Sequence, residues 1–384
     1  MKIIYFASFF TTDSDFPLIR KFQEKGVDVI YCLNASRYGN KAGLVNLKKN
    51  LKTGIYKASS LEGFQLYKDY LDLDRVYVFY NNSQHGKGLK SLLFHIKVFW
   101  FLRKQNADII HFGWYQRSFG KMFYLLKIKK CLTVHDPLEH SGNSSISVEK
   151  DRKIAFAHMD KFFLLNALQL NEFVKHYDIA ENKVVLNKMG YFDYLQYIYQ
   201  RQKKVSGRNI LFFGYIREYK GLEYLCKAMM LVHEKYPDLK LVIAGGGKIY
   251  FDWKPYSNLD YIELYNRYID LPELASFLDS CEFSVCPYKD ATQSGVVQTA
   301  FSMNVPMIVT DVGALSEVVE DNKNGIVIPP CDSMALADAI IYLLDNPQKL
   351  VDMRLNIEDE WKKNMSWSPI ADKYIQCYKS LLKE

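Results

Sequence analysis

Residues 209–221 read Asn-Ile-Leu-Phe-Phe-Gly-Tyr-Ile-Arg-Glu-Tyr-Lys-Gly: an apolar run of strand length, a glycine, a polar loop with two cations, and a second glycine. From Leu222 to Lys235 apolar residues then recur at helical spacing. A strand that empties through a loop into a helix is half of a parallel βαβ unit, because parallel neighbours need a long crossover. The same alternation continues downstream. Strands are expected at Lys240–Ala244, Tyr261–Leu264, Phe283–Cys286 and Met307–Thr310, with helices at Pro272–Ser280, from Gly295, and near Leu315, Met334 and Leu350.

The first half shows the pattern independently. Strands are expected at Lys2–Ala7, Val27–Leu33, Val76–Tyr80, Asp108–Phe112, Cys131–His135 and Lys161–Leu165. Helices fit Asp15–Lys25, with Asp15 as N-cap and Gly26 as the stop, then Leu89–Lys104 and Phe119–Lys127. Tyr197–Arg208 is polar and reads as a linker. Two α/β domains follow, over 1–197 and 198–364. The amphipathic stretch inside 365–384 is expected to cross back onto the first domain.

Composition narrows the class. In 384 residues, 49% are hydrophobic and 24% charged, which excludes a disordered or fibrous chain. The longest uncharged stretch, Ala291–Thr310, carries Gln293, Ser294, Gln298, Asn304 and Pro306, so no membrane span is expected. Met1–Ala7 lacks the form of a signal peptide, and the expected location is cytoplasmic. Seven cysteines without a C-x-x-C pair read as reduced thiols. Histidines and acids show no metal-ligand spacing; Asp13-Ser-Asp15 and Asp72-Leu-Asp74 read as helix ends. No metal and no cofactor are expected.

Ligands of α/β sheets sit beyond the carboxyl ends of the strands, so the post-strand loops carry the chemistry. In the first loop, Gly214 lets backbone approach a ligand, while Arg217 and Lys220 place two cations at a helix start, a setting suited to a diphosphate. The second loop runs Pro287-Tyr-Lys-Asp290-Ala-Thr-Gln-Ser294-Gly295-Val296-Val-Gln298. It would aim the amides of Ser294, Gly295 and Val296 at anionic oxygen, with Asp290 at the loop mouth and Gln298 in the first helical turn. The triple glycine Gly245–Gly247 lacks dinucleotide-fingerprint spacing. His135, with Asp136 beside it, ends a first-domain strand and could offer a hydrogen bond or proton; His111 reads as structural.

Taken together, the stretches Phe213–Gly221, Leu241–Gly246, Gln293–Thr310, Asp311–Val319 and Asn324-Gly325 resemble the family 4 retaining glycosyltransferases, among the group 1 glycosyl transferases. The resemblance implies a GT-B fold, with two Rossmann-like domains whose parallel sheets face each other across a cleft. It implies a nucleotide-sugar donor, with Arg217 and Lys220 neutralising the diphosphate. Asp290 would contact donor-sugar hydroxyls, and Gln298 the ribose. His135 would project toward the transferred sugar, and Ser294, Gly295 and Val296 would supply amides to phosphate. Two positions depart from the family pattern. Gln298 is an amide where many members have a carboxylate, and Asp290 is one methylene shorter than the usual glutamate. Ser8–Asp13 also lacks the family's glycine pair.

Charge informs the acceptor side. Residues 1–195 carry a net +11 and residues 196–384 a net −4. The stretch 87–104 sets Leu89, Leu92, Leu93, Ile96, Phe99 and Trp100 on one helical face among lysines, with a second strip of Phe94, Val98 and Phe101. It suits an anionic membrane surface, so a lipid-linked or glycan acceptor and a peripheral hold on the inner membrane face are expected. Nucleic acid is not an expected partner. The alternatives are a nucleotide-sugar epimerase of the same fold and a non-catalytic sugar-nucleotide-binding subunit.

Overall fold

The computed structural model describes residues 1–36, 44–47, 51–83, 88–135, 137, 146–165, 169–199, 208–291, 295–313 and 315–384. The expected linker residues 200–207, Asp136 and Ser294 lie outside them. The chain divides into two units, Met1–Gly190 with Ser366–Glu384, and Tyr191–Met365.

The first unit is built on eight strands: β1 (Lys2–Ser8), β2 (Asp28–Ser36), β3 (Gly54–Lys57), β4 (Val76–Asn81), β5 (Ile109–Phe112), β6 (Lys129–Val134), β7 (Lys161–Leu164) and β8 (Val184–Leu186). Their order is β3-β4-β2-β1-β5-β6-β7-β8, and only β3 pairs antiparallel. Ile3 to Ala7 are all buried, as a strand covered on both faces requires. The order reverses direction between β1 and β5, so a crevice opens beyond their carboxyl ends.

Asp15 does not cap its helix. The helix starts earlier, at Thr12, and runs to Glu24, which carries Asp15 into the core. There its carboxyl accepts hydrogen bonds from Thr11 Oγ1 (2.6 Å), Tyr5 OH (3.0 Å) and Tyr31 OH (3.1 Å). Burial outweighs those donors and pushes its pKa up to about 7. The folded state therefore holds this proton more tightly than the unfolded chain, whose carboxyl titrates near 3.8. The group's contribution is complete below the unfolded value and is lost as pH rises to about 7, a difference of about 4 kcal/mol. Asp15→Asn is expected to flatten the fall of melting temperature between pH 4 and 7. Parallel thermal-melt profiles for both proteins would refute this account of the buried carboxyl.

The last helix, Trp367–Leu381, belongs to the first unit because its aromatic face enters this core. Tyr378 OH lies 2.7 Å from His111 Nδ1, His111 Nε2 lies 2.8 Å from Thr133 Oγ1, and Thr133 reaches Tyr374 OH at 3.3 Å. Burial drives His111 down to about 3, so it is a neutral linker in this chain. Where a regular helix is expected at Phe119–Lys127, the chain makes 3-10 turns over Ser118–Leu125. Ser118 takes φ +50° and Gly120 abuts Gln116, which leaves no straight helical run. The Leu89–Lys104 helix forms as expected but turns the other face inward. Phe94, Val98 and Leu102 are buried against the sheet, and Leu89, Leu93, Ile96 and Trp100 remain exposed.

The second unit holds six parallel strands: β9 (Asn209–Phe213), β10 (Lys240–Ala244), β11 (Ile262–Tyr265), β12 (Ser284–Cys286), β13 (Met307–Thr310) and β14 (Gly325–Ile328). Their order is β11-β10-β9-β12-β13-β14, a doubly wound arrangement that reverses between β9 and β12. Side chains alternate across β9. Ile210 and Phe212 join Leu225, Met229 and Val232 on one face, and Leu211 and Phe213 join Ala300 and Phe301 on the other. Each such side chain contributes about 1.5–3 kcal/mol by burial, which fixes both helix layers and, through them, the loops at the reversal.

Candidate functional site

The loops that leave β9 and β12 meet at this reversal. Gly214 ends β9 at φ +103°, a conformation costly for other residues, and a Cβ there would lie 2.9 Å from Lys220 Nζ. The same position would lie 3.7 Å from Val296 Cγ2, so Gly214, Lys220 and the start of the helix Gly295–Ser302 converge. Among the described residues, no atom beyond its own helix and chain neighbours lies within 4 Å of a Cβ built on Gly295, so those residues leave space beside the helix start. First-turn amides and the positive end of the helix dipole lie there.

Lys220 is the unusual group. It is buried to 7% exposure, with Nζ 5.1 Å from the centre of the Tyr288 ring. Among the described residues no carboxylate pairs with it. Burial lowers its pKa, the neighbouring Cys286 offsets part of that, and the nearby Arg217 adds a smaller downward push. A buried, unpaired ammonium costs several kcal/mol unless an anion arrives to share it. The arrangement is therefore a receptor for negative charge.

Backbone hydrogen bonds brace the frame around it. Ile216 N donates to Gly246 O at 2.9 Å, Gly214 N to Ala244 O at 3.0 Å, and Gly247 N to Asn266 Oδ1 at 2.9 Å. The triple glycine thus buttresses the cationic loop from behind, a role its spacing did not signal. On the other side Lys289 N donates to Tyr219 O at 2.7 Å, Tyr219 packs edge-on against Tyr288, and Thr310 Oγ1 donates to Tyr288 O at 2.6 Å. Lys289 Nζ is held by Glu223 at 2.9 Å. Residues 287–290 and 217–220 are thus tied to each other by backbone, ring and ion-pair contacts.

The remaining predicted residues sit around this frame. Arg217 is exposed, with its guanidinium over the Tyr215 ring at 5.2 Å, and it lines an open cleft of about 440 Å³ with Glu218, Tyr219, Tyr250 and Lys289. Asp290 is exposed at the end of its loop. Gln298 lies one turn into the helix, and its buried Oε1 has no hydrogen-bond partner among the described residues. An orphaned acceptor of this kind is costly until a donor fills it.

In the first unit His135 follows β6 and stacks, tilted, on Trp114 at 5.7 Å. Phe10, exposed beyond β1, meets the same indole edge-on at 5.1 Å. These three residues gather at the β1/β5 reversal. Phe10 and Trp114 were not singled out by sequence, although each stands just past a strand end. Among the described residues no three His, Cys, Asp or Glu side chains gather as a metal site would need.

The chain resembles known proteins in sequence and in fold. Residues 207–346 match the model of the family described as glycosyl transferases group 1. An uncharacterized glycosyltransferase of Methanocaldococcus jannaschii, MJ1178, is 25% identical over 318 residues, spanning 78% of this chain and 84% of that protein. The phosphatidyl-myo-inositol mannosyltransferase of Mycobacterium leprae is 26% identical over 178 residues, 46% of this chain and 47% of its own. The crystal structure of Anabaena Alr3699/HepE in complex with UDP and glucose shares the fold. Its TM-score is 0.66 over 99% of this chain and 100% of that one, at 16% identity.

Proposed function

We propose that this chain, a group 1 glycosyltransferase of the GT-B fold, moves a sugar from a UDP- or GDP-sugar to a lipid-linked or polysaccharide acceptor with retention of anomeric configuration. The work belongs to surface-glycan synthesis, performed in the cytoplasm or against the inner membrane face. The observation that carries this reading is Lys220, a buried ammonium with no acid partner among the described residues, set at the strand reversal beside a helix start.

The chemistry sets the roles. As the bond between the anomeric carbon and the β-phosphate oxygen breaks, negative charge grows on the departing diphosphate. Lys220, Arg217 and the amides of Ser294, Gly295 and Val296 receive that charge; one preorganised donor is typically worth ~3 kcal/mol of barrier. Gly214 leaves room for the phosphate against the backbone. Asp290 accepts hydrogen bonds from donor-sugar hydroxyls. The unfilled Gln298 Oε1 takes a ribose hydroxyl, a partner an amide serves as well as a carboxylate. His135 stands for the transferred sugar on the first unit, and Trp114 with Phe10 gives a ring-shaped acceptor an apolar face. The acceptor oxygen bonds to the anomeric carbon on the face the phosphate leaves, and its proton passes to a departing phosphate oxygen. Protein cations and dipoles supply all of this, so the reaction is expected to need neither metal nor cofactor.

Two named proteins support the finer choices. The Anabaena protein is in complex with UDP and glucose, which favours a nucleotide-sugar donor. The Mycobacterium leprae relative is named for a phosphatidyl-inositol acceptor, which favours a lipid-linked one. The test is to titrate purified protein with UDP-, GDP- and ADP-sugars, then incubate the tightest donor with lipid-linked acceptor in chelator and assign the product anomer. One preferred donor and a retained configuration are expected. Binding of none of them, or conversion of the donor to an epimer without acceptor, overturns the reading.

A further inference from the structure

We propose that the outward ridge of the Leu89–Lys104 helix is a docking surface for an anionic lipid bilayer. The proposal rests on the reading above only in supplying the reason for docking, a membrane-borne acceptor; the surface itself stands on its own observations.

Leu89, Leu93, Ile96 and Trp100 are 71%, 58%, 37% and 49% exposed. At 100° per residue they fall within an arc of about 60°, in a line about 16 Å long. The arc lies opposite Phe94, Val98 and Leu102, which the sheet has already taken. A helix that has satisfied its core and still presents four large apolar side chains in register has a second partner. The segment Ser118–Leu125, which packs along this helix, adds a further exposed apolar residue in Leu125.

The charges choose the occupant. Lys90, Lys97 and Lys104 flank the ridge, all exposed and, among the described residues, without an acid partner. Arg103 lies over the Trp100 ring at 5.1 Å, and residues 88–104 contain no Asp or Glu. Apolar side chains on the crest, a tryptophan near one end and cations along the flank are what an interfacial helix needs. The crest enters the acyl boundary and the lysines meet lipid phosphates. A second copy of the chain is a poor occupant, since a two-fold pairing would bring the same unpaired cations against themselves. No helix among the described residues is long and apolar enough to cross a membrane, so contact through this ridge is with the surface.

The test is co-sedimentation of the full chain with vesicles of phosphatidylcholine alone or with 30% phosphatidylglycerol (about 30 mol%, enough for strong surface charge), at low and high salt. Wild type is expected to sediment with the anionic vesicles at low salt and to be released by salt. Leu93→Ser with Trp100→Ser is expected to weaken partitioning by at least about tenfold. Lys90→Gln with Lys97→Gln and Lys104→Gln should remove the preference for anionic lipid. All these side chains are exposed, so the melting temperature and nucleotide binding of each variant should match wild type, which separates failure here from failure of the transferase reading. The proposal is overturned if wild type ignores anionic vesicles, if the serine variant binds them equally well, or if sedimentation without lipid reveals a dimer that the serine variant dissolves.

Discussion

Lys220→Met is expected to lower turnover by about 10²–10³-fold while leaving the melting temperature unchanged or higher. The two halves of that outcome come from one cause. Methionine fills nearly the volume of lysine, so the contacts with Tyr288 and Gly214 survive, and the folded protein no longer carries a buried cation with no paired acid among the described residues. Removing it relieves the resting protein and disarms the receptor. A structural lysine would behave in the opposite way, losing stability and sparing catalysis. The pH dependence gives a second reading of the same residue. Burial holds the Lys220 pKa below the ordinary lysine range, so donor affinity should fall with rising pH earlier than a surface lysine would allow. Lys220→Arg should move that fall to higher pH. A melt that drops with turnover intact would end the assignment of Lys220 to the diphosphate.

What sequence could and could not reach follows from the range of each signal. The loop after β9 was legible because glycine, cation and helix start are local, and all three are needed within eight residues. Asp15 was misread for the same reason. A carboxylate near a helix start looks like a cap, and the tyrosines that take it inward, Tyr5 and Tyr31, come from neighbouring strands. The Leu89–Lys104 helix was recognised, but its two apolar strips are symmetric to a pattern reader. Only the sheet behind it decides that Phe94 goes in and Leu93 stays out. The triple glycine looked like a failed fingerprint, yet it lets β10 lie close behind the Gly214–Ile216 loop. The Phe10–Trp114–His135 cluster draws on three strand ends far apart in sequence, and no spacing rule joins them.

Gly221→Ala is expected to cost donor turnover about two orders of magnitude, together with a measurable fall in melting temperature, although residue 221 would touch no substrate. Gly221 stands at φ +64°, and a Cβ there would overlap the Pro287 carbonyl oxygen. The backbone conformation alone costs alanine about 1 kcal/mol. The overlap must then be relieved by separating the two loops. That separation stretches the Lys289 N to Tyr219 O hydrogen bond and loosens Tyr219 from Tyr288, the ring that backs the Lys220 ammonium. Asp290 sits one residue beyond Lys289, so the same shift moves the acid proposed for the donor sugar away from the cation proposed for its phosphate. Misplacement on the scale of an ångström is enough for a loss of this size. Donor affinity and turnover should therefore fall together, and Gly221→Ser should behave no better. Full activity in either variant, measured at a temperature where it remains folded, would mean that the two loops bind the donor independently.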